Sequence, residues 1–109
     1  MDNSLVFREI ILAFWKVHIL HHAAEKPVYG QWIIGELRRH GYDIKTGTLY
    51  PLLRRMEKNG WLAASRARRA GPRGRVNYRL TSAGREVLAC LREKTRELAG
   101  EILPGAPRS

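Results

Sequence analysis

The chain has a single cysteine, Cys90, among its 109 residues, so no disulfide can form within it and a reducing compartment is its natural setting. No stretch is both long enough and uncharged enough to span a bilayer. The most apolar one, residues 5–20, is interrupted by Arg8, Glu9, Lys16 and His18. The N-terminus has no charged leader followed by an apolar run and a small-residue cleavage site, so a cytoplasmic protein without membrane partners is expected. No phosphate-cradling GxxxxGK loop occurs, and "GPRG" at 71–74 reads as a turn. Carboxylates are scarce, ten against twenty basic side chains, and they are dispersed over helices among basic neighbours. They form no acid/base pair, so no enzyme and no cofactor is expected. There is no internal repeat, and one domain accounts for the length.

What the chain does have is concentrated positive charge. Between Arg38 and Arg79, twelve basic residues stand against Asp43 and Glu57, which accounts for the entire net charge of +10. A confined excess of this size is the footprint of a polyanion-binding surface. A membrane surface would call for one basic amphipathic helix with bulky apolar residues opposite, whereas here the charge spreads over several elements. Double-stranded DNA is the expected partner.

The apolar pattern predicts a first helix over residues 4–24, capped by Ser4. It is apolar nearly all round, so it must be covered on more than one side, most simply by a second copy of the chain. Phe7, Ile11 and Phe14 are its candidate contacts. Pro27 breaks the helix, and a second is predicted over 29–39, with Gly41 as C-cap. A third follows over 45–58. Two short strands, 61–67 and 75–80, flank the basic loop "RRAGPRG". In the second strand Val76, Tyr78 and Leu80 alternate inward with Arg75, Asn77 and Arg79 outward. Thr81 or Ser82 caps a last helix reaching residue 102. Its Leu88, Leu91, Thr95, Leu98 and Ile102 follow a 3,4 spacing, a seam for another helix or for packing within the domain.

Two helices, a tight turn and a basic hairpin describe a mostly α fold with a small β-hairpin, a winged helix-turn-helix. Residues 1–80 form the DNA-binding domain with its N-terminal helix. Residues 81–109 form a C-terminal dimerisation helix and tail, with Leu88, Leu91 and Leu98 as candidate contacts.

The third helix would be the one presented to the major groove, and it carries Pro51 well inside it. At 100° per residue Leu49, Leu52, Leu53 and Met56 share one side. Gly47, Pro51, Arg54 and Lys58 occupy the other, flanked by Tyr50 and Arg55, with Thr48 near the edge. A proline inside a helix costs up to about 3 kcal/mol. Pointing outward, it builds a flat, slim line able to approach base edges, a pyrrolidine ring against a thymine methyl and Arg54 against guanine or phosphate. The other account is a proline tolerated near a loosened helix start.

"YG" at 29–30, "GTLYPLLRRMEKNGWL" at 47–62 and "YRLTSAG" at 78–84 closely resemble the PadR-like winged-helix transcriptional regulators, over about residues 10–98 and in the right order. The short C-terminal part resembles the family's smaller members. The resemblance implies a homodimeric repressor of a nearby gene that binds an inverted-repeat operator, with the first and last helices forming the dimer. It places Thr48, Tyr50 and Pro51 on the recognition motif and Arg73 and Arg75 on the basic wing. Effectors in such proteins are often aromatic or cationic small molecules near the dimer interface. Here Trp15 and His18 are the candidates for such a pocket, with dimer-core packing the alternative for Trp15. The last helix lacks the tryptophan some multidrug-sensing relatives use.

One departure is Lys45 at the entry to the recognition helix, where the family usually has Ser, Asn or Thr. Lysine cannot accept a capping bond, so Thr46 or Asp43 must cap, or the first turn frays. Lys45 could instead donate to a phosphate, and Thr46 opens the same surface. His18, His21, His22 and Glu25 share helical spacing, and His21 with Glu25 could hold a metal with Cys90 across an interface. Interface or surface histidines are the simpler reading, and no metal is expected. A dimeric regulator without an effector, or a winged helix used for protein or RNA contacts, are the alternative functions.

Overall fold

In a computed structural model, described over residues 3–66 and 75–105, the chain begins as one helical rod. A first turn, α1 (Asn3–Val6), passes through a π-helical segment (Phe7–Ile11) into α2 (Leu12–Glu25). The Leu12 N–H donates to the Phe7 carbonyl five residues back, the step that defines the π turn. The helix expected from Ser4 is therefore present and starts at Asn3. Its π segment carries no compositional signal. Trp15, Ile19, Leu20 and Ala23 face the core, while Leu5, Ile10 and Phe14 are exposed on the other side. Lys26 takes an extended backbone (φ −166°, ψ 162°), as a residue preceding a proline must when the helical region is crowded by the ring.

A two-residue strand follows, β1 (Val28–Tyr29), then α3 (Gly30–Arg39), α4 (Thr46–Lys58), β2 (Leu62–Arg66), β3 (Val76–Leu80) and α5 (Ser82–Ile102). The hairpin read from the sequence is thus the larger part of a three-stranded antiparallel sheet in the order β1-β3-β2. β1 pairs Val28 with Tyr78 and Tyr29 with Asn77. The second helix accordingly starts at Gly30, one residue after the expected boundary. A two-residue strand is too short for alternation to mark it; only its pairing partner defines it. In β3, Tyr78 and Leu80 are buried and Arg79 is exposed, while Asn77, paired with Tyr29 of β1, is half-buried.

Both helices of the helix-turn-helix end in the same way. Gly41 has φ +88°, and the Tyr42 N–H reaches the Leu37 carbonyl at 3.0 Å while the Gly41 N–H reaches that of Arg38. Gly60 repeats this at φ +82°, with Trp61 donating to Met56 at 3.1 Å. These are Schellman caps, and they set the two tight turns of the motif. Thr81 then locks the wing to the helix-turn-helix. Its hydroxyl donates to the Gly60 carbonyl and accepts from the Gly84 N–H, which makes Thr81 the cap of α5. One core joins all these elements, with Ile44, Leu49 and Leu53 fully enclosed and Leu88 of α5 buried against them. Among the described residues, no helix is long and apolar enough to cross a membrane.

Candidate nucleic-acid interface

α4 buries Leu49, Leu52, Leu53 and Met56, the four residues predicted from periodicity. The opposite side carries Thr46, Gly47, Pro51, Arg54, Arg55 and Lys58, all exposed, with Thr48 half-buried at the edge. Lys45 is the N-cap residue in extended conformation and its side chain makes no capping bond; its carbonyl instead accepts from the N–H groups of Thr48 and Leu49, each at 3.0 Å. The helix therefore starts at Thr46, without a side-chain cap. Its unpaired first-turn donors give that end a positive potential suited to phosphate. Among the described residues, Lys45, Arg54, Arg55 and Lys58 have no acidic partner within ion-pair distance, so the face carries unneutralised charge.

The glycines separate those set by packing from those that are not. A Cβ on Gly30 would overlap the ring of Tyr50. This explains the glycine of the "YG" pair and turns Tyr50 back against α3, apart from the Gly47–Pro51 line and half-buried. A Cβ on Gly47 would meet nothing within 4 Å. Nothing in the chain's own packing requires the glycine there, although in a helix it costs about 1 kcal/mol relative to alanine. Pro51, one turn further on the same line, is likewise exposed.

Arg75, at the base of the wing, places its guanidinium 4.2 Å from the centre of the Tyr29 ring. This cation–π contact orients the arginine from outside the core. Arg73 lies outside the described residues.

A family model described as "Transcriptional regulator PadR-like family" matches residues 19–90. The chain belongs to this family. It is 48% identical over 98 residues to the transcriptional regulator Rv3488 of Mycobacterium tuberculosis, covering 90% of this chain and 91% of that protein. Among solved structures it is similar to a PadR-like transcription factor from Bacteroides fragilis, with a TM-score of 0.78 at 26% identity, covering 89% of this chain and 94% of that one. A PadR-family regulator from Eggerthella lenta matches with a TM-score of 0.67 at 27% identity over 99% of both chains. The protein is thus a DNA-binding transcriptional regulator and not an enzyme.

The residues expected to form the dimer divide in this PadR-like chain. Phe14 and Leu98 are 47% and 48% exposed. Phe7, Ile11 and Leu91 are partly buried against the chain's own core; Phe7 meets Trp15 edge-on at 4.6 Å. Leu88 is 3% exposed and belongs to that core. Leu5, Ile10, Ile102 and Leu103 are exposed as well. Leu103 lies just past the helical seam, which is why spacing did not single it out.

Of the two candidates for an effector pocket, only His18 lines a cavity. This cavity, of about 650 Å³, lies between α2 and α5 and is lined by Phe14, Val17, His18, Tyr42 and Leu98 together with Arg92 and Arg96. Trp15 is 3% exposed and sits in the core, with its ring 6.0 Å from that of Tyr42. Burial, and then the neighbouring His40, His22 and His21, lower the His18 pKa below the ordinary histidine value.

Proposed function

We propose that the protein is a homodimeric repressor that binds an inverted-repeat operator by inserting α4 into successive major grooves. The observation that carries this reading is the Gly47–Pro51 line. Two helix-weakening residues lie one turn apart on an exposed surface, and the chain's packing accounts for neither. Close approach of another molecule accounts for both. Arg54, Arg55 and Lys58 extend the line as phosphate or guanine contacts, and Lys45 and Thr46 serve its entry. Thr48 borders it. Tyr50 supports it from behind by holding α3 and α4 together.

Dimerisation is supported by the exposed apolar side chains of Leu5, Ile10, Phe14, Leu98, Ile102 and Leu103. Phe14, Leu98, Ile102 and Leu103 come together between the first and last helices, an apolar surface for self-association, and a symmetric pair would present two α4 helices to two half-sites one helical turn apart. The cavity is lined by Phe14, Leu98, Ile102 and Leu103 of this same surface, so a small apolar or aromatic effector seated in it would bear directly on the pairing and release the DNA. Arg92 and Arg96 among its lining residues disfavour a cation. Footprinting over a palindromic site, with and without ligand, separates an effector-responsive repressor from a dimeric regulator that has none.

Pro51→Ala is expected to leave the fold intact or slightly more stable, because alanine restores a helical donor, while weakening the operator complex in a sequence-dependent way. Equal operator affinity for wild type and variant in fluorescence anisotropy would make the proline a tolerated irregularity. Arg75→Ala is expected to weaken binding to operator and random DNA alike. Each lost phosphate contact should reduce the slope of log affinity against log salt by about 0.9, which a salt titration on both DNAs measures.

A further inference from the structure

Three imidazoles from two helices converge beside α2. His18 and His22 are one turn apart on α2 and His40 ends α3, and the three rings offer nitrogens that lie within 4.8 Å of one another. The His18 and His40 rings are 4.7 Å apart between centres, and His22 and His40 are 6.4 Å apart. His22 is oriented. Its Nδ1 lies 3.3 Å from Glu25 Oε1, the arrangement in which Nδ1–H donates to the carboxylate and leaves Nε2 as a bare acceptor. That Nε2 is buried and has no hydrogen-bond partner. Leaving a buried polar atom without a partner is costly and calls for an explanation, of which coordination of a cation is one. Glu36 stands alongside, one carboxylate oxygen 3.5 Å from His40 Nε2 and 3.8 Å from His22 Nε2, and its other oxygen is held by Arg39 at 3.0 Å.

We propose that His18, His22 and His40 bind a divalent transition-metal cation such as Zn2+, with Glu25 orienting His22 and Glu36 offsetting the charge. Imidazole nitrogens suit Zn2+, Co2+ and Ni2+ rather than the oxygen-seeking Mg2+ or Ca2+. His21, His22 and Glu25 form a second grouping within ligand distance, but there His21 accepts from the Arg92 guanidinium at 3.4 Å and both His21 and Glu25 are exposed. A neighbouring cation opposes a metal at that place and favours the triad. The bound ion ties α2 to the end of α3, and the site requires no DNA.

The test is a titration of the tag-free protein with Co2+, followed by its visible d–d absorption, with Zn2+ competition. One ion per chain is expected, displaced by Zn2+. His40→Ala and His18→Ala should abolish saturable binding, and His21→Ala should leave it unchanged. Glu25→Ala should weaken it by roughly 10–100-fold, the usual effect of losing a carboxylate that orients a ligand histidine. His40 is 44% exposed, so circular dichroism of metal-free His40→Ala should match wild type and exclude misfolding as the cause. No saturable binding by wild type, or unchanged binding by His40→Ala, overturns the site. Loss of binding in His21→Ala equally overturns it, moving the ion to the other grouping.

Discussion

Leu98→Glu is expected to convert the proposed dimer into a folded monomer and to weaken operator binding by about 100-fold or more. Leu98 is 48% exposed, so a glutamate there remains solvated in the single chain and the monomer fold should survive. In the paired state the same carboxylate would be closed against the apolar face formed with Phe14 and Ile102, where an unpaired charge is costly. Loss of the second half-site removes an avidity gain of roughly 10²–10⁴. Sedimentation at micromolar concentration and anisotropy with operator DNA measure the two effects. A dimer that persists in Leu98→Glu would refute the assignment of this face. The same change at Leu88 has a different expected outcome. That side chain is buried in the chain's own core, so Leu88→Glu should unfold the protein before it could report on dimerisation.

Gly84→Ala is expected to be among the most damaging single-atom additions. A Cβ at this position would overlap the carbonyl oxygen of Trp61 and the side chain of Leu80. The carbonyl cannot withdraw cheaply, because the Thr81 N–H donates to it at 3.1 Å and Thr81 also caps α5 and holds Gly60. Overpacking of a fitted site costs about 1–3 kcal/mol. In a domain of this size each kcal/mol lowers Tm by about 4–8 °C. Gly35→Ala is the control, since nothing lies within 4 Å of its Cβ position, and alanine there should stabilise α3 by up to about 1 kcal/mol. Thermal melts of the two variants should move in opposite directions. A Gly84→Ala protein as stable as wild type would mean that the junction of wing and helix-turn-helix yields.

What could be read from the amino-acid order was whatever rests on local periodicity and local backbone chemistry. The buried stripe of Leu49, Leu52, Leu53 and Met56 follows from 100° per residue. The outward position of Pro51 follows with it. Gly41 marks the end of α3 because only a residue free to adopt positive φ closes that turn, and Pro27 stops the first helix for an equally local reason. The confinement of the excess charge between Arg38 and Arg79 needs no coordinates.

The tertiary structure decided everything that depends on which element passes close to which. Periodicity places Leu88 and Leu98 on one seam, but only the packing of α5 across α2 buries the first and leaves the second exposed. Trp15 and His18 lie three residues apart on one helix; the core takes the indole, and the cavity keeps the imidazole. Tyr50 is on the recognition motif in sequence, yet its ring turns back because Gly30 leaves room for it. β1 exists only through its pairing with Tyr78 and Asn77. His40 stands apart in sequence from the histidines of the first helix and joins them because α3 folds back along α2. A contact across the chain is set by the summed geometry of the turns between its two ends, and no local pattern carries that sum.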